Sequence, residues 1–528
     1  MKSLDLSILL IFLLNINLFL AKETSVFHRN LKAADPADTC KDLSFAPTKE
    51  NVKIIGRYYQ AEEITWVVQS GSAIEFYLTG LTGSIVIDGG NAINNDEKYR
   101  PRLGVYVDDE IILDHIMSEA KLTVDLFKET TEKKAKVKVM LLSEANNGGI
   151  GIKEINVNSC SGTPIKPTEK KKYTIEFIGD SITAGYGVEG ANQYENFKTS
   201  TENFSKSYAY LAAKKLDVDY SAVCYSGHGI ISGYSTGEKN PEALVPEVYT
   251  RISKNGDYPG EWDFKNNQPD VILVNLGTND LNYVKAIPED RNDEFIQAYA
   301  QFLGLIREKN PEANIICTVG IMGGGDEIYP LIEIAVDLMK DKKISCYKSA
   351  QQNMNDGLGS DWHPSLITQT YNSYVVSDKI CNALGIESDQ VGLDVAADST
   401  YDVTKNEESG ANFSFWVGYD KSFWINTVLG GKDPTDIEAK CSGISLKKGG
   451  VYVLEFEYTS PQEAEVPVII RGTIEHFKDS VKASSKKVKY SQEVTIEEND
   501  ENAEIVYQLG GLDSFQFTLT NIKLTKIK

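Results

Sequence analysis

The chain has 528 residues, 41% of them hydrophobic and 10% aromatic, and a formal charge of −22. That length exceeds one ordinary core and points to about two to four domains of globular composition. The acidity excludes nucleic acid and anionic membrane as partners, because both require clustered Lys and Arg, and reads as a solvated surface.

Residues 1–21 have Lys2, an apolar run from Leu6 to Leu20 and then Ala21, the pattern of a secretory signal peptide. The run is short for a membrane span, and no later segment is long and apolar enough to cross a bilayer. The mature protein is therefore read as soluble, exported and extracellular. Residues 22–48 are polar, hold Pro36 and Pro47, and read as a linker. Over 49–160 the pattern becomes short alternating runs: 52–58, 64–68, 73–77, 84–87, 103–107, 111–113, 121–126, 135–142 and 151–157. Turn signals such as Thr82-Gly83, Asp88-Gly89-Gly90 and Asp108-Asp109 separate them. This spacing predicts a β-sandwich or jelly roll. Residues 161–171 form a Pro- and Lys-rich linker.

Over 172–387 strands alternate with helices. Strands are predicted at 173–178, 219–225, 270–276 and 313–319, and helices near 205–216, 291–309, 327–340 and 364–384. The last helix has Pro364 in its first turn and Gly385 just past its end. Such alternation implies a parallel sheet covered on both faces. Over 392–528 helices vanish and β-type runs return, at 413–417, 423–428, 443–446, 451–458, 466–470, 491–495, 503–508 and 514–524. This predicts a second sandwich.

Seven cysteines is an odd number for an exported chain, so at least one is free or pairs with another chain. Cys40 and Cys160 bracket the first β region and are candidates to close it as a disulfide. Cys224 and Cys317 lie in apolar strands as buried thiols. There is no CxxC or Cys/His cluster, which argues against a structural zinc site. Asn203-Phe-Ser205 and Asn412-Phe-Ser414 are glycosylation sequons.

The chemistry centres on the run from Tyr173 to Gly190. An apolar strand ends at Gly179-Asp180-Ser181 and puts a hydroxyl at the carboxyl edge of a sheet, where open α/β sheets bind ligands. Ser181 is the candidate nucleophile. Of five histidines, His28 lies in the leader, His115 and His476 in the flanking β regions, and only His228 and His363 in the α/β region. His363, in Ser360-Asp361-Trp362-His363-Pro364, is the candidate base. Two further strands end at the same edge. Tyr225-Ser226-Gly227-His228-Gly229 offers the Gly227 N–H, and Gly277-Thr278-Asn279-Asp280 offers the Asn279 amide. Together they make the parts of an oxyanion hole.

These four blocks, in this order, resemble the SGNH (GDSL-type) hydrolase superfamily over about residues 172–386. Gly179-Asp-Ser-Ile-Thr-Ala-Gly-Tyr-Gly187, Trp262-Asp-Phe264, Asn275-Leu-Gly-Thr-Asn-Asp280 and Asp361-Trp-His-Pro-Ser365 are most similar to family 2 carbohydrate esterases. The resemblance implies a flavodoxin-like α/β hydrolase domain behind a small jelly roll. It also implies a secreted acetyl esterase on plant polysaccharides such as xylan or mannan, working without cofactor or metal through Ser181 and His363. Ser181 N–H, Gly227 N–H and Asn279 would form the oxyanion hole. The superfamily usually places an acid three residues before the histidine; that position is Ser360 here, and the carboxylate, Asp361, is two before. Asp361 orients His363 if the chain there is extended; the alternative is the main-chain carbonyl of Trp362. Asp180 reads as a structural turn residue. Residues 400–528 resemble carbohydrate-binding sandwiches, with Trp416, Tyr419, Phe423 and Trp424 as candidate stacking residues. A lipase of the same fold, and a non-catalytic carbohydrate-binding scaffold, are the rival readings.

Overall fold

The computed structural model describes residues 40–528, apart from 398, 419 and 420. The signal-peptide assignment, His28, most of the first linker and Tyr419 therefore lie outside the described residues.

The chain divides into two compact units. One holds residues up to Val68, Ser72–Leu141 and Asn147–Lys170; the other holds Gln69–Gly71, Leu142–Asn146 and Lys171–Lys528. The first unit is built on antiparallel pairings around two long strands, Ala73–Asp88 and Lys121–Leu141. The sequence reading breaks each of them in two. Thr82-Gly83, taken there as a turn, instead sits between two irregularities in the register, after Gly80 and after Gly83. Such a bulge bends a strand without ending it. Asp108-Asp109 does turn, with both φ values positive, as a two-residue hairpin requires. Both predicted linkers give up a strand to this unit: Lys41–Phe45 pairs with the strand that ends at Ser159, and Ile165–Pro167 pairs with 76–78. Cys40 and Cys160 form a disulfide. Inside lie Phe76, Leu78, Ile85, Ile87, Val137 and Val139, none with exposed surface.

In the second unit five parallel strands form the sheet that carries the candidate site: β1 (Thr174–Gly179), β2 (Asp219–Cys224), β3 (Val271–Asn275), β4 (Asn314–Val319) and β5 (Ile344–Lys348), in the spatial order β2-β1-β3-β4-β5. Ile175, Phe177, Ile178 and Val271 to Val274 have no exposed surface. Helices cover both faces of such a sheet, so its inner strands read as unbroken apolar runs rather than alternating ones. β5 escapes the sequence reading. It is an edge strand, and Ser345 and Lys348 on it face solvent.

Seven helices accompany the sheet: α1 (Ser181–Ala184), α2 (Tyr208–Leu216), α3 (Val245–Val248), α4 (Leu281–Ala286), α5 (Pro288–Lys309), α6 (Gly325–Met339) and α7 (Leu366–Leu384). α5 opens on Pro288 with Glu289 and Asp290 in its first turn and closes on Arg307 and Lys309, charges that complement the helix dipole. α7 begins later than expected. Ser365 is its N-cap, accepting from Thr368 N, so Pro364 precedes the cap. Gly385 ends it in the left-handed conformation.

Two five-stranded sheets follow. The first runs Thr400–Lys405, Ile437–Leu446, Asp500–Gln508, Glu465–Arg471 and Glu475–Lys482. The second runs Asn412–Val417, Phe423–Leu429, Phe515–Lys526, Val451–Thr459 and Val488–Thr495. They enclose a core of Ile425, Ala439, Cys441, Tyr452, Leu454, Phe456, Ile505 and Tyr507. Thr400–Lys405 and Glu475–Lys482 went unpredicted because each lies at a sheet edge and is largely polar.

Candidate active site

β1 ends at Gly179, and the chain turns straight into α1. The Asp180 carboxylate accepts from Ile182 N at 3.0 Å and caps that helix, which sets Ser181 as its first residue. Asp180 is thus the turn residue the sequence implies. Burial pushes its carboxyl up to about 7, and the neighbouring Asp280 adds to the push. Beyond α1, Gly187 has φ +67° and its carbonyl accepts from Ser360 N at 3.0 Å. A Cβ at Gly187 would lie 2.7 Å from Ser360 O. The serine loop and the histidine loop therefore touch main chain to main chain, and a side chain there would force them apart.

That contact brings the two ends of the chemistry together. Ser181 Oγ lies 2.8 Å from His363 Nε2. His363 Nδ1 lies 3.0 Å from Asp361 O and 3.2 Å from Ser360 O. A carbonyl can only accept, so Nδ1 carries the proton and the Nε2 lone pair faces the serine hydroxyl. The imidazole packs on Tyr186, ring centroids 4.1 Å apart, and Tyr186 packs on Phe197 at 4.3 Å. Burial holds the imidazole pKa down at about 4, against the pull of the two carbonyls and of Asp361.

The Asp361 carboxylate does not reach the imidazole. Its Oδ2 accepts from the Tyr186 hydroxyl at 2.8 Å and from Phe197 N at 3.0 Å. The extended backbone that would carry it to His363 is absent: Asp361 and Trp362 both have left-handed φ, +50° and +66°. The same turn directs the Trp362 carbonyl away, where it accepts from Gln352 Nε2 at 3.0 Å. The orienting atoms are instead the carbonyl oxygens of Ser360 and Asp361.

The three N–H donors expected for the oxyanion differ in their partners. No acceptor among the described residues takes the N–H of Ser181 or that of Gly227. Asn279 Nδ2 donates to His228 O at 2.9 Å, with a longer contact of 3.3 Å to Asp180 Oδ2. The loop carrying Gly227 is fixed from below by Asp280, whose carboxylate accepts from the N–H groups of Ile230, Ile231 and Ser232 at 2.8–3.0 Å. Burial still lifts the Asp280 carboxyl to about 6.

Glu144 is a site residue that sequence reasoning misses. Its Oε2 accepts from Ser226 N at 2.8 Å, one residue before Gly227, and burial raises its carboxyl. Nothing local signals it, because the contact spans 82 residues of sequence. Tyr186 is missed too, although it lies inside the most telling motif of the chain. In the C-terminal sheets, Phe423 is fully buried and is a core residue rather than a stacking one. Trp416 and Trp424 are 56% and 39% exposed, face each other across neighbouring strands, and have ring centroids 4.3 Å apart.

The GDSL-like Lipase/Acylhydrolase family matches residues 177–341. The chain is 35% identical over 227 residues to the cellulase/esterase CelE of Acetivibrio thermocellus, covering 42% of this chain and 26% of that protein. It is 24% identical over 328 residues to an acetylxylan esterase / glucomannan deacetylase of Cellvibrio japonicus, covering 61% of this chain and 86% of the relative. Among solved structures, a family two carbohydrate esterase from Clostridium thermocellum in complex with cellohexaose matches with TM-score 0.56 and 26% identity, over 63% of this chain and 99% of that one. The chain thus spans about a quarter of CelE but most of the Cellvibrio enzyme. Among the described residues no helix is long and apolar enough to cross a membrane. Together the hydrolase match and the esterase relatives support an esterase. Residues 177–341 thus match the GDSL-like lipase/acylhydrolase family, and the chain is similar to esterases in sequence and to a family two carbohydrate esterase in structure.

Proposed function

We propose that this chain is a secreted carbohydrate esterase that removes O-acetyl groups from plant polysaccharides of the xylan or mannan type. The observation that carries this reading is the 2.8 Å contact of Ser181 Oγ with a His363 ring held by main-chain carbonyls. Ser181 Oγ attacks the acetyl carbonyl while His363 Nε2 takes its proton. The N–H groups of Ser181 and Gly227 and the Asn279 amide receive the negative charge that develops on the carbonyl oxygen. His363 then hands the proton to the departing sugar hydroxyl, leaving acetyl-Ser181. Water, deprotonated by His363, attacks that ester, the bond to Ser181 Oγ breaks, His363 returns the proton to Oγ and acetate leaves. Each step uses groups of the protein alone, so the reading calls for no cofactor. Export is supported by the Cys40–Cys160 disulfide, which suits an oxidising compartment. Residues 172–387 are read as the catalytic region, 49–160 as a jelly roll and 392–528 as a carbohydrate-binding sandwich. The test is acetate release from acetylated xylan and glucomannan, run beside p-nitrophenyl acetate and octanoate. Acetate release with acetyl preferred over octanoyl is expected; octanoyl preference favours a lipase, and binding without hydrolysis favours a scaffold.

A sugar-binding role for the C-terminal sheets rests on the Trp416–Trp424 pair. On the same face as these rings, the register places Thr518 opposite Trp424 and the row Ser414, Asn426 and Gln516 beside it. Exposed indoles flanked by hydroxyl and amide groups suit the apolar face and rim hydroxyls of a sugar. Replacing both tryptophans with alanine is expected to weaken retention on insoluble xylan or mannan about tenfold, close to 1.4 kcal/mol. Hydrolysis of p-nitrophenyl acetate should be unchanged. Undiminished retention in a pull-down would remove this role.

A further inference from the structure

His228, the second histidine of the α/β region, has no part in the steps above, yet it touches both donors of the oxyanion site that lie outside Ser181. Its Nδ1 lies 2.9 Å from Ser226 O. Its own carbonyl accepts from Asn279 Nδ2 at 2.9 Å. Its Nε2 lies 2.9 Å from Lys254 Nζ. The Lys254 ammonium is itself anchored on Glu242 O at 2.9 Å, and Lys254 N donates to the Tyr225 hydroxyl at 3.0 Å. The imidazole is buried, and burial together with Lys254 keeps it neutral near pH 7.

The peptide unit linking Ser226 to Gly227 explains why this matters. The Ser226 carbonyl and the Gly227 N–H belong to one planar trans unit and point in opposite directions. A donor that holds the carbonyl on one side turns the N–H to the other. Ser226 O can only accept, so His228 Nδ1 carries the proton, and Nε2 is left as a lone pair for the Lys254 ammonium. The flanking groups fix the same segment. Glu144 holds Ser226 N, and Gly227 O accepts from Tyr234 N at 2.8 Å. Gly227 has φ +74°, and a Cβ there would meet nothing within 4 Å, so no packing on that side of the residue helps to hold it. Those bonds hold the ends of the segment; the imidazole holds the Ser226 carbonyl itself, and its loss would free this peptide unit to tilt its N–H out of the site.

We propose that His228 is a positioning residue of the oxyanion site, aiming the Gly227 N–H through its Nδ1–H bond to Ser226 O, with Lys254 fixing the tautomer. The inference rests on the esterase reading above. Two near-isosteric substitutions test it. The amide nitrogen of Asn overlays Nδ1 of a histidine, and that of Gln overlays Nε2. His228→Asn keeps the donor where Ser226 O needs it; His228→Gln moves it away.

With p-nitrophenyl acetate and the full chain, H228N is expected to stay within about threefold of wild type in kcat. H228Q should fall about 50-fold, short of the roughly 10²–10³-fold cost of losing a whole oxyanion donor. KM should stay within about twofold in both, because the developing oxyanion exists only in the transition state. Matching circular dichroism and melting temperatures check that both fold. Should either not fold, Lys254→Met carries the test: it leaves the imidazole in place and is expected to lower kcat about fivefold with KM unchanged. An active wild type with H228N and H228Q equally impaired, or equally active, overturns the positioning role and leaves the esterase reading standing. Unchanged kcat in K254M removes the tautomer lock. A wild type that hydrolyses no acyl ester overturns the esterase reading and this inference with it.

Discussion

Ser181→Ala is expected to lower kcat/KM for p-nitrophenyl acetate by about 10⁵-fold or more while the melting temperature stays within a few degrees of wild type. Ser181 is 7% exposed, and among the described residues its hydroxyl hydrogen-bonds to the His363 side chain alone. Removing one oxygen there leaves no large cavity, and the α1 cap rests on Asp180 rather than on Ser181. Fold and chemistry are thus separable at this position. What remains in the variant is binding together with the oxyanion donors, which stabilise a transition state that no longer has its attacking atom. Continuous ester hydrolysis beside a thermal melt checks both halves of the expectation. Near-normal hydrolysis would remove Ser181 from the mechanism.

His363→Ala should cost about as much, because the serine and its base act as one unit and their losses do not add. Asp361→Asn separates two kinds of catalytic machinery. Where a carboxylate orients the imidazole, its amide substitution costs about 10⁴-fold in kcat. Here the Nδ1 proton goes to the carbonyls of Ser360 and Asp361, which the substitution leaves in place, and an Asn can still accept from Phe197 N. The expected loss is below about tenfold, through a loosened Tyr186. The pH profile carries the same signature. With the imidazole pKa held near 4, the acid limb of kcat/KM should fall near pH 4 rather than near the ordinary histidine value of about 6.5. The sign for stability follows from the depressed pKa. The unfolded chain binds the proton more tightly, so the contribution of His363 is full above about pH 6.5 and is lost as pH falls towards 4. A midpoint near 6.5 in the rate profile would contradict the buried, carbonyl-held imidazole.

The sequence carried some of this and withheld the rest for physical reasons. β1 to β4 were legible because strands buried on both faces are continuously apolar, whereas β5, with one neighbour and exposed Ser345 and Lys348, looked like loop. Ala73–Asp88 was read as broken because glycine at a bulge looks the same as glycine at a turn, and Lys121–Leu141 because its middle, Lys128 to Lys134, is polar throughout. At the site, Ser181 and His363 could be named from glycine-framed strand ends and from elimination among five histidines. The direction of the Asp361 carboxylate could not. It depends on left-handed backbone at two consecutive non-glycine residues, which no local preference announces. Glu144 and Lys254 were illegible because each acts across a gap that only the fold closes, 82 residues to Ser226 in one case and 26 to His228 in the other.

The main-chain contact between Gly187 and Ser360 bears on how such an enzyme can be changed. The loops that carry the two reactive atoms rest on each other through this backbone contact and through Tyr186, which packs on His363 and donates to Asp361, and not through the exposed side chains at their rims. Tyr194 and Trp362, 74% and 48% exposed and packed edge to face beside the histidine, are free to vary without disturbing that contact. A library that diversifies these rim positions for new acyl or sugar groups would search specificity while inheriting the reactive geometry intact. The same library would fail if it included position 187, where even a methyl group would separate the loops.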